Sequence, residues 1–69
     1  MEVFELAGHD FIELHNLLKV TSLCASGGEA KQRIAAGLVT VDGVVELRKR
    51  CKVRSGQQVN YAGRTVAVR

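Results

Sequence analysis

The feature that most constrains the fold is a change of hydrophobic period at Gly37. Before it, Ala30 and Ile34 recur at the spacing of one helical face. After it, Val39 and Val41 alternate with a polar residue, as in a strand with one buried side. The pattern therefore predicts helices in the first half of the chain and short strands in the second.

Two helices are predicted before this change. Asp10 and Ser26 are each followed three residues later by Glu, the spacing of a capping box that satisfies free N–H groups at a helix start. The first helix is therefore expected over residues 11–20 and the second over residues 27–36. Gly37 is the residue type that commonly ends a helix, so it is expected to stop the second one.

The strand signals complete an α+β fold, with two helices packed on a small, mostly antiparallel sheet. Asp42-Gly43 and Ala62-Gly63 are turn sequences between apolar runs and predict two hairpins. The expected order is β-α-α-β-β-β-β, and the strands are expected at residues 3–6, 39–41, 44–45, 58–61 and 65–68. A chain of 69 residues without Pro or a linker is expected to form one domain over residues 1–69.

Charge is distributed unevenly along the chain, although the net charge is only +3. Residues 1–30 contain one cation and five acids, and residues 31–69 contain nine cations and two acids. This asymmetry predicts one basic side, which favours nucleic acid or an anionic surface as a partner. Aromatic residues are only 4% of the chain, so few side chains are available to stack on the bases of a single strand.

The densest charge lies in residues 46–55, where five of ten residues are Lys or Arg. In an extended strand, alternate side chains would point outward about 6.6 Å apart, a spacing suited to a phosphate backbone. Leu47, Cys51 and Val53 would then face the core, with Lys49 as the exception. The alternative is a solvated edge strand that uses cations to prevent aggregation. The candidate nucleic-acid contacts here are Arg48, Lys49, Arg50, Lys52 and Arg54.

The start of the second helix is the other candidate contact. Free N–H groups of Ser26, Gly27 and Gly28, together with the helix dipole, favour an anion, and Lys31 lies one turn further on. The alternative is an ordinary cap followed by a solvated lysine. Arg33 is expected to pair with the Glu one turn before it and is left out of the site.

Other chemistry has little support in the sequence. His9, His15, Cys24 and Cys51 match no zinc-ligand spacing, and the cysteines are expected to be small core residues. No catalytic group, metal or cofactor is expected. The acidic start is unlike a signal peptide, and no apolar run could span a membrane. These features predict a cytoplasmic protein without a membrane partner.

Residues 26–59 resemble the RNA-binding domain named after ribosomal protein S-four, also called the αL motif. The whole chain looks like a small stand-alone bacterial member of that group. Three positions depart from the usual family pattern: Gly27 stands where Arg is common, Asp42 replaces Asn, and Gln57 replaces an acid. The matching residues are Ser26, Ala30, Lys31, Ile34, Gly37, Val39, Val41, Asp42, Gly43, Val53 and Gly56.

The resemblance implies an RNA-binding protein that docks structured RNA, with ribosomal RNA or a ribosome-assembly intermediate as the family-level target. The start of the second helix with Lys31 would form one wall of the site, and residues 48–54 the other. Two alternatives stay open. One is a protein-interaction module or adaptor that recruits an RNA enzyme through the acidic N-terminal half, and the other is a helix-turn-helix-like domain that binds DNA. Gly27, Gly28 and Glu29 occupy the base-reading positions of such a motif and argue against DNA.

Overall fold

The computed structural model describes residues 1–69 and contains two helices and seven short strands. The helices are α1 (Leu14–Val20) and α2 (Gly27–Ala35). The strands are β1 (Glu2–Phe4), β2 (Ile12–Glu13), β3 (Val39–Val41), β4 (Val44–Val45), β5 (Lys52–Val53), β6 (Gln58–Tyr61) and β7 (Arg64–Val68).

Five strands form one sheet in the order β1-β7-β6-β3-β4. Only the pairing of β1 with β7 is parallel, and the others are antiparallel hairpins or neighbours. Positive φ angles at Asp42 and Gly43, and again at Ala62 and Gly63, are those of type I′ turns and lie at the two predicted hairpins. The predicted class, two helices with a mostly antiparallel sheet, is confirmed.

The core joins the helices to the sheet in one cluster of 14 buried residues. Three leucines of α1 are fully buried, as are Ala30 and Ile34 on the predicted face of α2. In β3, Val39 and Val41 are buried in the core, and β6 and β7 contribute further buried valines. The change of period at Gly37 therefore identified the core-facing residues of both elements correctly.

The beginning of α2 follows the capping prediction closely. The Ser26 Oγ accepts a hydrogen bond from the Glu29 N–H at 3.1 Å. The Glu29 carboxylate reaches back to the N–H of Ala25 at 2.8 Å, one residue before the expected partner. At the other end, Gly37 has a φ of 77°, the left-handed conformation that glycine adopts without strain.

The beginning of α1 differs from the prediction, because Asp10 does not cap it and the helix starts at Leu14. Residues 12–13 instead form β2, which pairs with β5 through Ile12 opposite Val53. The N–H groups of Leu14 and His15 then donate to the carbonyl oxygens of Cys51 and Lys49, at 2.9 and 3.0 Å. The sequence predicted that a local cap would satisfy the free N–H groups at this helix start. Backbone carbonyls from a distant part of the chain satisfy them instead.

The predicted continuous strand through residues 48–54 is also wrong. Only Lys52–Val53 is strand, and a turn closed by the Cys51 N–H on the Arg48 carbonyl precedes it. Leu47, expected in the core, is 61% exposed, whereas Val53 is buried and Cys51 half-buried. The reason is that this segment leaves the sheet edge at β4 and crosses to α1, where its carbonyls bind the helix start.

Candidate nucleic-acid interface

A polar cleft of about 350 Å³ joins the two predicted walls of the site. Its lining comes from three segments that are far apart in sequence: the start of α1, the first turns of α2, and the turn before β5. The residues of this cleft, called the basic cleft below, are Glu13, His15, Lys31, Lys49 and Arg50. The fold therefore brings Lys31 and the basic turn together in one cleft.

The two N–H···O bonds between α1 and the turn hold the basic cleft in shape. Because the Lys49 and Cys51 carbonyls are bound to the first N–H groups of α1, the Lys49 backbone is fixed while its side chain stays exposed. Lys31 is likewise exposed on a helix whose Ala30 and Ile34 are buried. Both lysines are free of ion pairs within the chain.

Glu13 bridges His15 and Arg50 at one side of the basic cleft. One carboxylate oxygen lies 2.9 Å from the Nε2 of His15, and the other accepts from the Nε of Arg50 at 3.2 Å. The hydrogen bond with His15 and the contacts with Arg50 lower the pKa of Glu13 from its ordinary value. The carboxylate therefore stays charged and orients both partners, while it offsets part of the positive charge of Arg50.

Arg48 is similarly held by an acid next to it in the chain. Its guanidinium donates to both oxygens of Glu46, at 2.9 and 3.0 Å, and its backbone N–H donates to the same carboxylate at 3.0 Å. These side-chain and backbone bonds lower the pKa of Glu46 to about 2. Arg48 thus stays 77% exposed but paired, in contrast to the free lysines of the basic cleft.

Lys52 and Arg54 lie over an aromatic ring and form a second basic surface. The Nζ of Lys52 and the Cζ of Arg54 are 5.1 and 5.6 Å from the centroid of the Phe11 ring. Both distances allow attraction between a cation and the ring face. Phe11, the expected first residue of the first helix, instead precedes β2 and is half-buried. We call Phe11, Lys52 and Arg54 the Phe11 shelf.

The predicted helix-end residues lie outside the lining of the basic cleft. The hydroxyl of Ser26 is used in capping, and a Cβ at Gly27 would be 4.0 Å from the Lys19 side chain. At Gly28 only the Ser26 Oγ is near, at 3.8 Å. The fold thus joins Lys31, Lys49 and Arg50 in one cleft, while Ser26, Gly27 and Gly28 lie one turn earlier on α2.

Three residues near these cations were not identified from the sequence: Phe11, Glu13 and His15. Glu13 was assigned to a capping box, and His15 lay within the predicted first helix without a role in binding. Their partners, Arg50 and the Lys49 carbonyl, are more than thirty positions away, so no local pattern could reveal them. Arg33, by contrast, pairs with Glu29 at 3.8 Å, as expected.

The model of the S4 domain matches residues 4–69, nearly the whole chain. The chain belongs to the S4 domain family. This is the group that the αL resemblance indicated, so that prediction is confirmed.

Neither helix has the length or the apolar run needed to cross a bilayer.

Similar proteins are known from two enterobacteria. The Escherichia coli K12 protein named "Putative RNA-binding protein YbcJ" is 50% identical over 68 residues, which cover 99% of this chain and 97% of that protein. The Shigella flexneri protein named "Uncharacterized protein YbcJ" matches to the same extent. The solution structure of E. coli YbcJ, described as revealing an αL motif involved in RNA binding, superposes with a TM-score of 0.76. That match covers 99% of this chain and 86% of the other.

Proposed function

We propose that this chain binds RNA through the basic cleft and the Phe11 shelf. The observation that carries the proposal is the convergence of Lys31, from α2, with Lys49 and Arg50, from the turn before β5, in one cleft. Cations carried on fixed backbone suit the phosphate groups of a nucleic acid, because little backbone freedom is lost on binding. The names of the relatives support RNA as the nucleic acid.

Structured RNA is the proposed form of the target. The cations are set on two surfaces, and the chain contains few aromatic residues on which a single strand could stack. Recognition of helical shape and phosphate positions fits such a surface better than reading of successive bases. Membership in a family named after a ribosomal protein supports ribosomal RNA or an assembly intermediate as the target.

Binding without catalysis is the proposed role, in a cytoplasmic setting. The Glu13–His15 pair is the one arrangement in the basic cleft that resembles an acid–base pair, and Arg50 already occupies its second carboxylate oxygen. A nucleophile next to this pair would be needed for covalent chemistry. We therefore assign Glu13 the role of orienting His15 and Arg50.

Recruitment of a protein by the acidic N-terminal half is the weaker proposal. Three of the five acids in residues 1–30 are in ion pairs, and these pairs are Glu2–Arg64, Glu13–Arg50 and Glu29–Arg33. Only Glu5 and Asp10 remain free of ion pairs. The half that looks strongly acidic in the sequence therefore offers two unpaired carboxylates to a basic partner.

A comparison of RNA with DNA tests the proposed function. The purified protein is titrated into a fluorescent RNA stem-loop and into duplex DNA of equal length, at several salt concentrations. We expect tighter binding to the RNA, with an affinity that falls steeply as salt rises. Preference for the duplex DNA would refute RNA as the target, and affinity that does not change with salt would refute binding to phosphates.

A further inference from the structure

Next to the basic cleft is a second cavity of about 290 Å³ with a different lining. Phe4 and Phe11 contribute aromatic rings, and two aliphatic side chains complete the apolar part. Asn16, His9 and Glu13 supply the polar groups. The sequence predicted little stacking because aromatic residues are scarce, yet the fold gathers both phenylalanines at this one opening. We call it the Phe cavity.

The Phe cavity is continuous with the proposed RNA-binding surface at two points. Glu13 lines both the Phe cavity and the basic cleft. Phe11 lines the Phe cavity and also lies beneath Lys52 and Arg54. The apolar opening is therefore bordered by Lys52 and Arg54 on the Phe11 side and by the Glu13 carboxylate on the side of the basic cleft, so a base in the opening would have cations for its phosphate on the Phe11 side.

The polar groups in the cavity are available to a ligand. The side chains of Asn16 and His9 are exposed and make no hydrogen bond within the chain. An amide offers both a donor and an acceptor, which match the polar edge of a nucleobase. Small-molecule sites of this kind combine apolar walls with a few convergent polar groups.

From this placement we infer that the Phe cavity receives one unpaired RNA base, while the flanking phosphates lie on Lys52 and Arg54. This inference rests on the proposed function and adds a base-binding subsite to it. The base contacts the Phe4–Phe11 wall and bonds with Asn16. The protein then recognises a bulged or looped-out nucleotide beside a helical stem, not the stem alone.

The test uses three fluorescent RNA stem-loops that share one stem: one with a single bulged adenosine, one with an abasic bulge, and one fully paired. We expect the adenosine bulge to bind about tenfold more tightly than the abasic bulge, within the range of single base–aromatic contacts. The Asn16→Ala variant should lose this preference while it keeps affinity for the fully paired stem. Phe11→Leu should also lose the preference, with some affinity lost for all three RNAs, because Phe11 supports Lys52 and Arg54 as well. Gln58→Ala, at an exposed polar residue outside the cavity, is the matched control.

The outcomes separate the subsite from the function on which it rests. If the adenosine and abasic bulges bind equally, the subsite is refuted while RNA binding stands. An equal loss of affinity for all three RNAs in the Asn16→Ala protein also refutes the subsite. If none of the RNAs binds even at low salt, both the subsite and the proposed function are wrong. Since Phe11→Leu could reduce stability, thermal unfolding is recorded for each variant, and Asn16→Ala, at an exposed position, decides the matter.

Discussion

Replacing the two free lysines of the basic cleft should change the salt dependence of RNA binding by a predictable amount. Four cations without ion pairs lie in the basic cleft or on the Phe11 shelf: Lys31, Lys49, Lys52 and Arg54. If each contacts one phosphate, the slope of log affinity against log salt is about −3.6. Affinity then falls about 150-fold between 50 and 200 mM salt. In the Lys31→Gln/Lys49→Gln protein the slope becomes about −1.8 and the fall about 12-fold.

The assay is fluorescence anisotropy with the fully paired RNA stem-loop at five or more salt concentrations. Arg64→Gln/Arg69→Gln is the charge-matched control, because it removes two cations that do not line the basic cleft. It should leave the slope near that of the unmodified protein. The reasoning is refuted if the lysine variant keeps the full slope, or if the control reduces it equally, since overall charge and not the cleft would then determine binding.

Three further predictions concern the cap, the acid pairs and the helix start. Ser26→Ala should lower the free energy of unfolding by about 1 kcal/mol and the melting temperature by about 4–8 °C, because the Glu29 N–H loses its acceptor; an unchanged melting temperature would contradict the cap. The pKa of Glu46 is depressed to about 2 in the folded state, so its contribution to stability is present above about pH 4.5 and lost as pH falls towards 2. The melting temperature of the Glu46→Gln protein should therefore change less with pH over that window than the melting temperature of the unmodified protein. An identical dependence on pH in the two proteins would count against the pairing with Arg48. Gly27→Arg should tighten RNA binding, since it restores the usual family residue in open space beside Lys19, with Gly27→Gln as the uncharged control; equal affinity of the two variants would show that this position does not contact RNA.

Sequence reasoning succeeded where the determining interactions are local. The Ser26 cap, the left-handed Gly37 and the two tight turns each depend on residues within four positions of one another. The buried face of α2 followed from its helical period, because one side of a short helix has to pack against the sheet. The resemblance to the S-four-like family added the correct fold class.

The errors arose where distant parts of the chain compete with local signals. Asp10 and Glu13 have the spacing of a capping box, but the Glu13 carboxylate accepts a hydrogen bond from Arg50. The first N–H groups of α1 donate to the carbonyls of Lys49 and Cys51. The strict alternation assumed for residues 48–54 failed for the same reason, since a turn presents those carbonyls to α1. Charge composition could locate the basic segment, but it could not show which of its cations are already paired.

The pairing pattern changes which cations should matter most. Arg48 and Arg50, the first two cations of the strand face predicted to point outward, are held by Glu46 and Glu13. Lys31 and Lys49 are free of ion pairs. The paired arginines keep exposed side chains in fixed positions, so we expect them to orient the RNA more than to attract it. The free lysines should supply most of the salt-dependent affinity.

Mapping of backbone amide shifts by NMR, during titration of the protein with the fully paired RNA stem-loop, tests the central claim most directly. We predict that the largest shifts occur at His15, at Lys31 and through residues 48–54, with small shifts at the hairpin around Ala62-Gly63. Shifts confined to that hairpin, or to the exposed apolar edge at Val44 and Val45, would contradict the assignment of the basic cleft as the RNA-binding site.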